Sequence, residues 1–187
     1  MVLKQYIENQ FGSKKGLLQL CLTEVARHMG FYKQYSQIDF KKVNRLIFIC
    51  HGNICRSPLG EAVAKNQGAT AESYGLDTRG GDSADPRAIA FGLQNKLILS
   101  NHITRHIKEY TPQPGDLLIG MEPKHATALK ALYGDNEAQI TLAGLWLPKP
   151  AAYLHDPFGA NISFFNHCES LVQQAAKILA TKVTTTR

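Results

Sequence analysis

Arg45-Leu46-Ile47-Phe48-Ile49-Cys50-His51-Gly52-Asn53-Ile54-Cys55-Arg56-Ser57-Pro58 is the stretch on which the fold of this 187-residue chain turns. Leu46 to Cys50 runs apolar without alternation, which predicts a strand buried on both faces. His51 to Cys55 then reads as a tight turn: Gly52 lets the backbone close in, and Asn53 enters left-handed conformations more readily than most residues. A helix opens near Ser57 and Pro58, with proline where a helix tolerates it best, and runs to about Gln67.

Working outward, Ala71 to Tyr74 reads as a second strand. Asp85-Pro86 carries the cap and first-turn signals of a helix ending near Asn95, and Asn101 to Ile107 reads as a short helix. Asp116 to Gly120 is an apolar strand, followed by a helix from Pro123 to Leu132 and a short strand from Gln139 to Leu142. Beyond a loop rich in proline, Ile162 to Thr181 forms an amphipathic helix with Phe165, Leu171, Val172, Ala175, Ile178 and Leu179 on its inner side. Short apolar strands alternating with helices predict an α/β fold, an open doubly wound sheet of four parallel strands. Its ligand site lies beyond the carboxyl ends of the strands, where Cys50 stands.

The turn after Cys50 has the parts an oxyanion site needs. Successive backbone N–H groups before a helix N-terminus form a nest for a tetrahedral dianion. Arg56, six positions after Cys50, can fold back and hold that anion through two parallel hydrogen bonds, which lysine does less well. The same positive surroundings favour the thiolate of Cys50 as a nucleophile, and Ser57 can donate to the sulfur as it leaves.

A bare Cys-x5-Arg is a weak signal, but the full string CHGNICRSP (50–58) resembles the signature loop of the low-molecular-weight protein tyrosine phosphatases. The resemblance covers about residues 44 to 181. It implies a flavodoxin-like domain over 44–187, with 1–43 as an N-terminal helical extension. It also implies hydrolysis of phosphotyrosine through a cysteinyl-phosphate intermediate, with Cys50 and Arg56 in a phosphate loop of His51, Gly52, Asn53, Ile54, Cys55 and Arg56, and with Ser57 and Asn53 in support. His155-Asp156-Pro157-Phe158-Gly159 resembles the family's acid loop, which makes Asp156 the proton donor. A tyrosine leaving group, with a pKa near ~10, needs such a donor. Phe158 matches an aromatic flank of the substrate ring, with core packing as the other reading. Cys55 matches a partner for a protective disulfide with Cys50, with a buried thiol as the alternative. Arg79 falls where the family often has a bulky apolar or aromatic residue in the substrate cleft; it either makes the mouth more cationic or is a loop arginine of no consequence. Bacterial members act on tyrosine kinases of polysaccharide export, which makes such a kinase the first partner implied. No cofactor or metal is implied.

Three rivals differ in definite features. Thioredoxin-linked arsenate reductases need further cysteines for a disulfide relay, and none lies between Cys55 and Cys168. Protein arginine phosphatases carry threonine at the place of Ile54, where isoleucine suits an aryl phosphate better. A non-catalytic phosphate-binding module would have no need of Cys50, Ser57 and Asp156 together.

Composition narrows the setting. The chain is 44% apolar and 19% charged, enough to bury one sizeable core. Its net charge of +6 is uneven: residues 1 to 43 hold seven Lys/Arg against three Asp/Glu. No basic and aromatic pattern of a nucleic-acid binder appears. Four irregularly spaced cysteines (21, 50, 55 and 168) speak for a reducing, cytoplasmic setting, and Cys21 and Cys168 read as packing residues. The run Leu17 to Leu22 is too short to span a membrane. Gly16 to Met29 carries Leu17, Leu18, Cys21, Leu22, Val25 and Met29 at helical spacing, which predicts a helix packed on the body or on a second subunit as a homodimer. Membrane docking through Lys14 and Lys15 is weaker, since Glu24 shares the polar face.

Overall fold

The computed structural model describes residues 2–134 and 138–186. Two helices, α1 (Val2–Phe11) and α2 (Lys14–His28), precede β1 (Arg45–Cys50). The order then runs α3 (Arg56–Asn66), β2 (Ala71–Gly75), α4 (Pro86–Gln94), β3 (Asp116–Gly120), α5 (Pro123–Tyr133), β4 (Gln139–Leu142) and α6 (Ile162–Thr186). The four strands form one parallel sheet in the order β2-β1-β3-β4, with helices flanking it, so the fold is the doubly wound, flavodoxin-like one.

β1 is paired on both sides and every one of its residues is buried, as an apolar run without alternation requires. On one face Leu46 and Phe48 pack with Leu59 and Val63 of α3 and with Phe165, Val172 and Leu179 of α6. On the other, Ile47 and Ile49 meet Leu118 of β3 and Leu129 of α5. α3 comes close because Gly60 faces Phe48: a Cβ at Gly60 would stand 2.5 Å from the ring, so any larger residue there would push the helix away from the strand. This pairing brings the carboxyl end of β1 and the first turn of α3 together in the middle of the sheet edge.

The strands lie within a residue of the apolar runs that predicted them, and α4 begins as expected, with the Asp85 carboxylate accepting the Arg87 N–H at 2.8 Å. Three expectations are corrected. Asn101 to Ile107 is not a helix: His106 and Ile103 make isolated bridges to Gly75 and Ser83, so the backbone is extended, and only Ile107–Glu109 forms a single 3₁₀ turn. The first 43 residues hold two helices, with α1 ahead of the one anticipated. The predicted helix forms as α2, but Leu18, Cys21, Leu22, Val25 and Met29 are exposed; the stripe points away from the body, and Cys21 is not a packing residue. Cys168, by contrast, is buried.

What ties residues 1–43 to the body lies elsewhere. Gly12, at φ +72°, is the close point between α1 and α6, where a Cβ would come within 2.7 Å of the Phe164 ring. Farther along, Tyr35 packs on Leu142 and its carbonyl accepts from Thr141 Oγ1 at 2.6 Å, while Gln139 exchanges two hydrogen bonds with the Asp39 backbone. Residues 35–39 thus cover β4, the last strand of the sheet. No helix among the described residues is long and apolar enough to cross a membrane.

Candidate active site

β1 delivers Cys50 to the carboxyl edge of the sheet, 3% exposed, and α3 begins six residues later at Arg56. The sulfur sits inside the turn between them. It accepts the Asn53 N–H at 3.3 Å and lies 3.0 Å from Ser57 Oγ. Asn53 takes the left-handed conformation, φ 56°, and is pinned from every side. Its Nδ2 donates to Ser57 Oγ at 2.9 Å and Ser73 Oγ at 3.0 Å, its Oδ1 accepts the Arg105 N–H at 2.8 Å, and its carbonyl accepts from His102 Nε2 at 2.8 Å. Because Asn53 donates into Ser57 Oγ, the single serine proton is left to serve either the Cys50 sulfur or the Tyr74 carbonyl, 3.3 Å away. Gly75 lets the loop pass, since a Cβ there would lie 2.9 Å from the His51 carbonyl.

Arg56 is 1% exposed and bonded through both terminal nitrogens. Nη1 donates to Glu122 Oε1 at 2.7 Å and to the Leu154 carbonyl at 3.0 Å, and Nη2 meets Asp156 Oδ2 at 2.7 Å. Burial opposes the guanidinium charge, but the carboxylates of Asp156 and Glu122 outweigh it, so Arg56 stays cationic where few cations are found. Asp156 comes from the loop before α6 and reaches the site from above. A cavity of about 170 Å³ lies between these groups, lined by Cys50, His51, Gly52, Ile54, Cys55, Arg56, Asp156 and Phe158.

The low molecular weight phosphotyrosine protein phosphatase family matches residues 45–187. The chain belongs to that family. The low molecular weight protein-tyrosine-phosphatase Wzb of Salmonella typhi is 29% identical over 136 residues, 72% of this chain and 90% of its own. A protein-arginine-phosphatase of Bacillus subtilis is 28% identical over 144 residues, 72% of this chain and 95% of its own. Among solved structures, the tyrosine phosphatase Wzb of Escherichia coli K30 in complex with sulphate superposes with a TM-score of 0.65 at 28% identity, covering 75% of this chain and 99% of that one. Wzb of Vibrio vulnificus in complex with benzylphosphonate gives 0.64 at 28%, with the same coverage of both chains.

In this member of the family Phe158 is 66% exposed and stands on the cavity wall rather than in the core. Arg79 is exposed on the loop between β2 and α4 and does not line the cavity. His51 is exposed as well, 3.4 Å from Asp77. Cys50 and Cys55 are both free thiols, and burial, with Glu169 and Asp85 adding to it, pushes the Cys55 thiol up. Among the described residues no group of three or more potential metal ligands comes together.

Sequence reasoning missed four neighbours: Glu122, His102, Ser73 and Arg105. Glu122 was findable, because it stands two residues past β3, beside β1 at the carboxyl edge where ligand-facing groups gather. The other three touch Asn53 from β2 and from the extended segment misread as a helix, and nothing local in their sequence marks them.

Proposed function

We propose that the chain hydrolyses phosphotyrosine in protein substrates through a phosphorylated Cys50. The observation that carries this reading is the convergence on one small cavity of a sulfur held by Ser57 and the Asn53 N–H, a buried guanidinium, and the Asp156 carboxyl. The Cys50 thiolate attacks phosphorus while the bond to the phenolic oxygen breaks, and protonated Asp156 gives its proton to that oxygen, releasing tyrosine. Water then attacks the phosphocysteine, Asp156 takes a proton from it, the S–P bond breaks, and the Ser57 hydroxyl turns its hydrogen to the returning thiolate. The loop N–H groups and Arg56 balance the charge of the transferring phosphoryl group in both steps. Glu122 and the Leu154 carbonyl hold Nη1, which leaves Nε and the second Nη2 hydrogen to grip it beside Asp156.

An aryl substrate suits the exposed Phe158 ring and the apolar Ile54 on the wall, and a ring-bearing phosphonate is the ligand in the similar Vibrio vulnificus structure. The finer reading takes as substrate a tyrosine kinase of polysaccharide export and places the chain in the cytoplasm, supported by four free thiols. It adds a homodimer through the exposed stripe of α2.

Hydrolysis of two aryl phosphates tests the chemistry. Cys50→Ser should show no turnover of p-nitrophenyl phosphate. Asp156→Asn should lower kcat on phenyl phosphate by about 10²- to 10⁴-fold. Its loss on p-nitrophenyl phosphate should be much smaller, because that phenol leaves with less help. Equal losses on both esters would remove Asp156 from the acid role, and turnover by Cys50→Ser would sink the intermediate.

A further inference from the structure

Beside the Cys50 cavity lies a larger one, about 540 Å³, with one wall from residues 1–43. Ser13, Lys15 and Gln19, around the start of α2, face His155, Asp156 and Phe158 of the acid loop across it. Asp156 and Phe158 line both cavities, so the two spaces adjoin at the general acid and the aromatic flank. The family match begins at residue 45, so this wall is a feature the chain adds to the shared domain.

The polar side chains of this wall, Ser13, Lys15 and Gln19, can all donate. Lys15 is exposed and has no carboxylate within ion-pair distance among the described residues. The other lysine on the wall, Lys124, is held at 3.0 Å by Glu122, and the two carboxylates present, Glu122 and Asp156, are both taken by Arg56. Ser13 Oγ accepts the Gly16 N–H at 3.0 Å, which leaves its own hydrogen to donate. His155 is buried against Gly16, and its Nε2 has no hydrogen-bond partner among the described residues. Burial pushes that imidazole down to about 4, so it adds no charge near neutral pH, and the uncompensated charge on the wall is that of Lys15.

We propose that residues 13–19 form a second subsite next to the phosphate cavity, which receives an acidic side chain flanking the phosphotyrosine of a protein substrate, with Lys15 as the specificity-determining residue. This rests on the phosphatase reading above. A cavity of about 170 Å³ accommodates little beyond the phosphorylated ring, and the adjoining space takes the neighbouring residue of the peptide. A carboxylate there pairs with Lys15 and accepts from Ser13 and Gln19.

The test is kcat/KM for phosphotyrosine peptides carrying a single Asp, Asn or Lys at each position within three residues of the phosphotyrosine, using the full chain, Lys15→Gln and Lys15→Glu. Lys15 is exposed and unpartnered, so replacing it breaks no internal contact. At one position the unaltered chain should prefer Asp over Asn by about fivefold, a ratio that falls as salt is raised. Lys15→Gln should bring the ratio to about one, and Lys15→Glu should reverse it in favour of the Lys peptide. Ratios near one at every position, or a preference that survives Lys15→Glu, overturn the subsite. Turnover of p-nitrophenyl phosphate by the unaltered chain reports on the chemistry alone: its absence defeats the phosphatase reading, whereas turnover without a Lys15-dependent preference defeats only the subsite.

Discussion

Glu169 is a residue that the proposed catalytic cycle does not use. It lies on α6, fully buried, and neither carboxylate oxygen has a hydrogen-bond partner among the described residues. Burial, reinforced by Asp156 and Asp85 and opposed by Arg56 and Arg87, raises its pKa to about 8. Between the ordinary carboxylate range and about pH 8 the folded chain therefore keeps a proton that the unfolded chain has released, and stability falls as pH rises through that window. Glu169→Gln keeps the volume and removes the titration. Its melting temperature should exceed that of the unaltered chain at pH 8.5 and lose that advantage toward pH 5, with roughly 2–4 °C for each kcal/mol in a chain of this size. Equal differences at both pH values would show that Glu169 is not the group responsible. The sequence offered no sign of this. A glutamate among Cys168, Ser170 and Leu171 reads as an ordinary turn of an amphipathic helix, and only packing shows that it points inward.

Among the elements, the body was legible because its signals are local. Buried parallel strands require unbroken apolar runs, and Asp85 before Pro86 can hardly be anything but a helix start. The segment 101–106 failed for the opposite reason: its conformation is set by partners far away, with Gly75 N donating to the Arg105 carbonyl and Thr104 N to the Asp82 carbonyl. The period of α2 was legible, but period alone does not say whether the apolar side is covered. The contact between α1 and α6 makes its own prediction. Gly12→Ala places a side chain at a positive φ and against the Phe164 ring, which costs upwards of about 1 kcal/mol. Limited proteolysis should then cut between α1 and α2 several-fold faster, and an unchanged rate would mean that the helix is held elsewhere.

At the scale of the molecule, the candidate site was legible because Cys50, Arg56 and the start of α3 are contiguous in sequence, whereas Asp156 and Glu122 are brought in from other strands and loops. The outward face of α2 also belongs to this scale. Leu18, Leu22, Val25 and Met29 follow the alternating four- and three-residue spacing of a helix-pairing seam. If two copies meet there, sedimentation should find a dimer, and Leu22→Asp should return it to a monomer without loss of phosphatase activity; a monomeric unaltered chain would dismiss the pairing.

The cover that residues 35–39 lay over β4 bears on how the protein is handled at the bench. A piece trimmed to the stretch its relatives share would bare Leu142 and strand the Thr141 hydroxyl and the Gln139 amide without the backbone groups they meet, a sticky margin on which copies gather. Preparations of such a piece should cloud and lose titre on storage while the whole chain stays clear, and the frailty would then belong to the scissors and not to the catalytic domain.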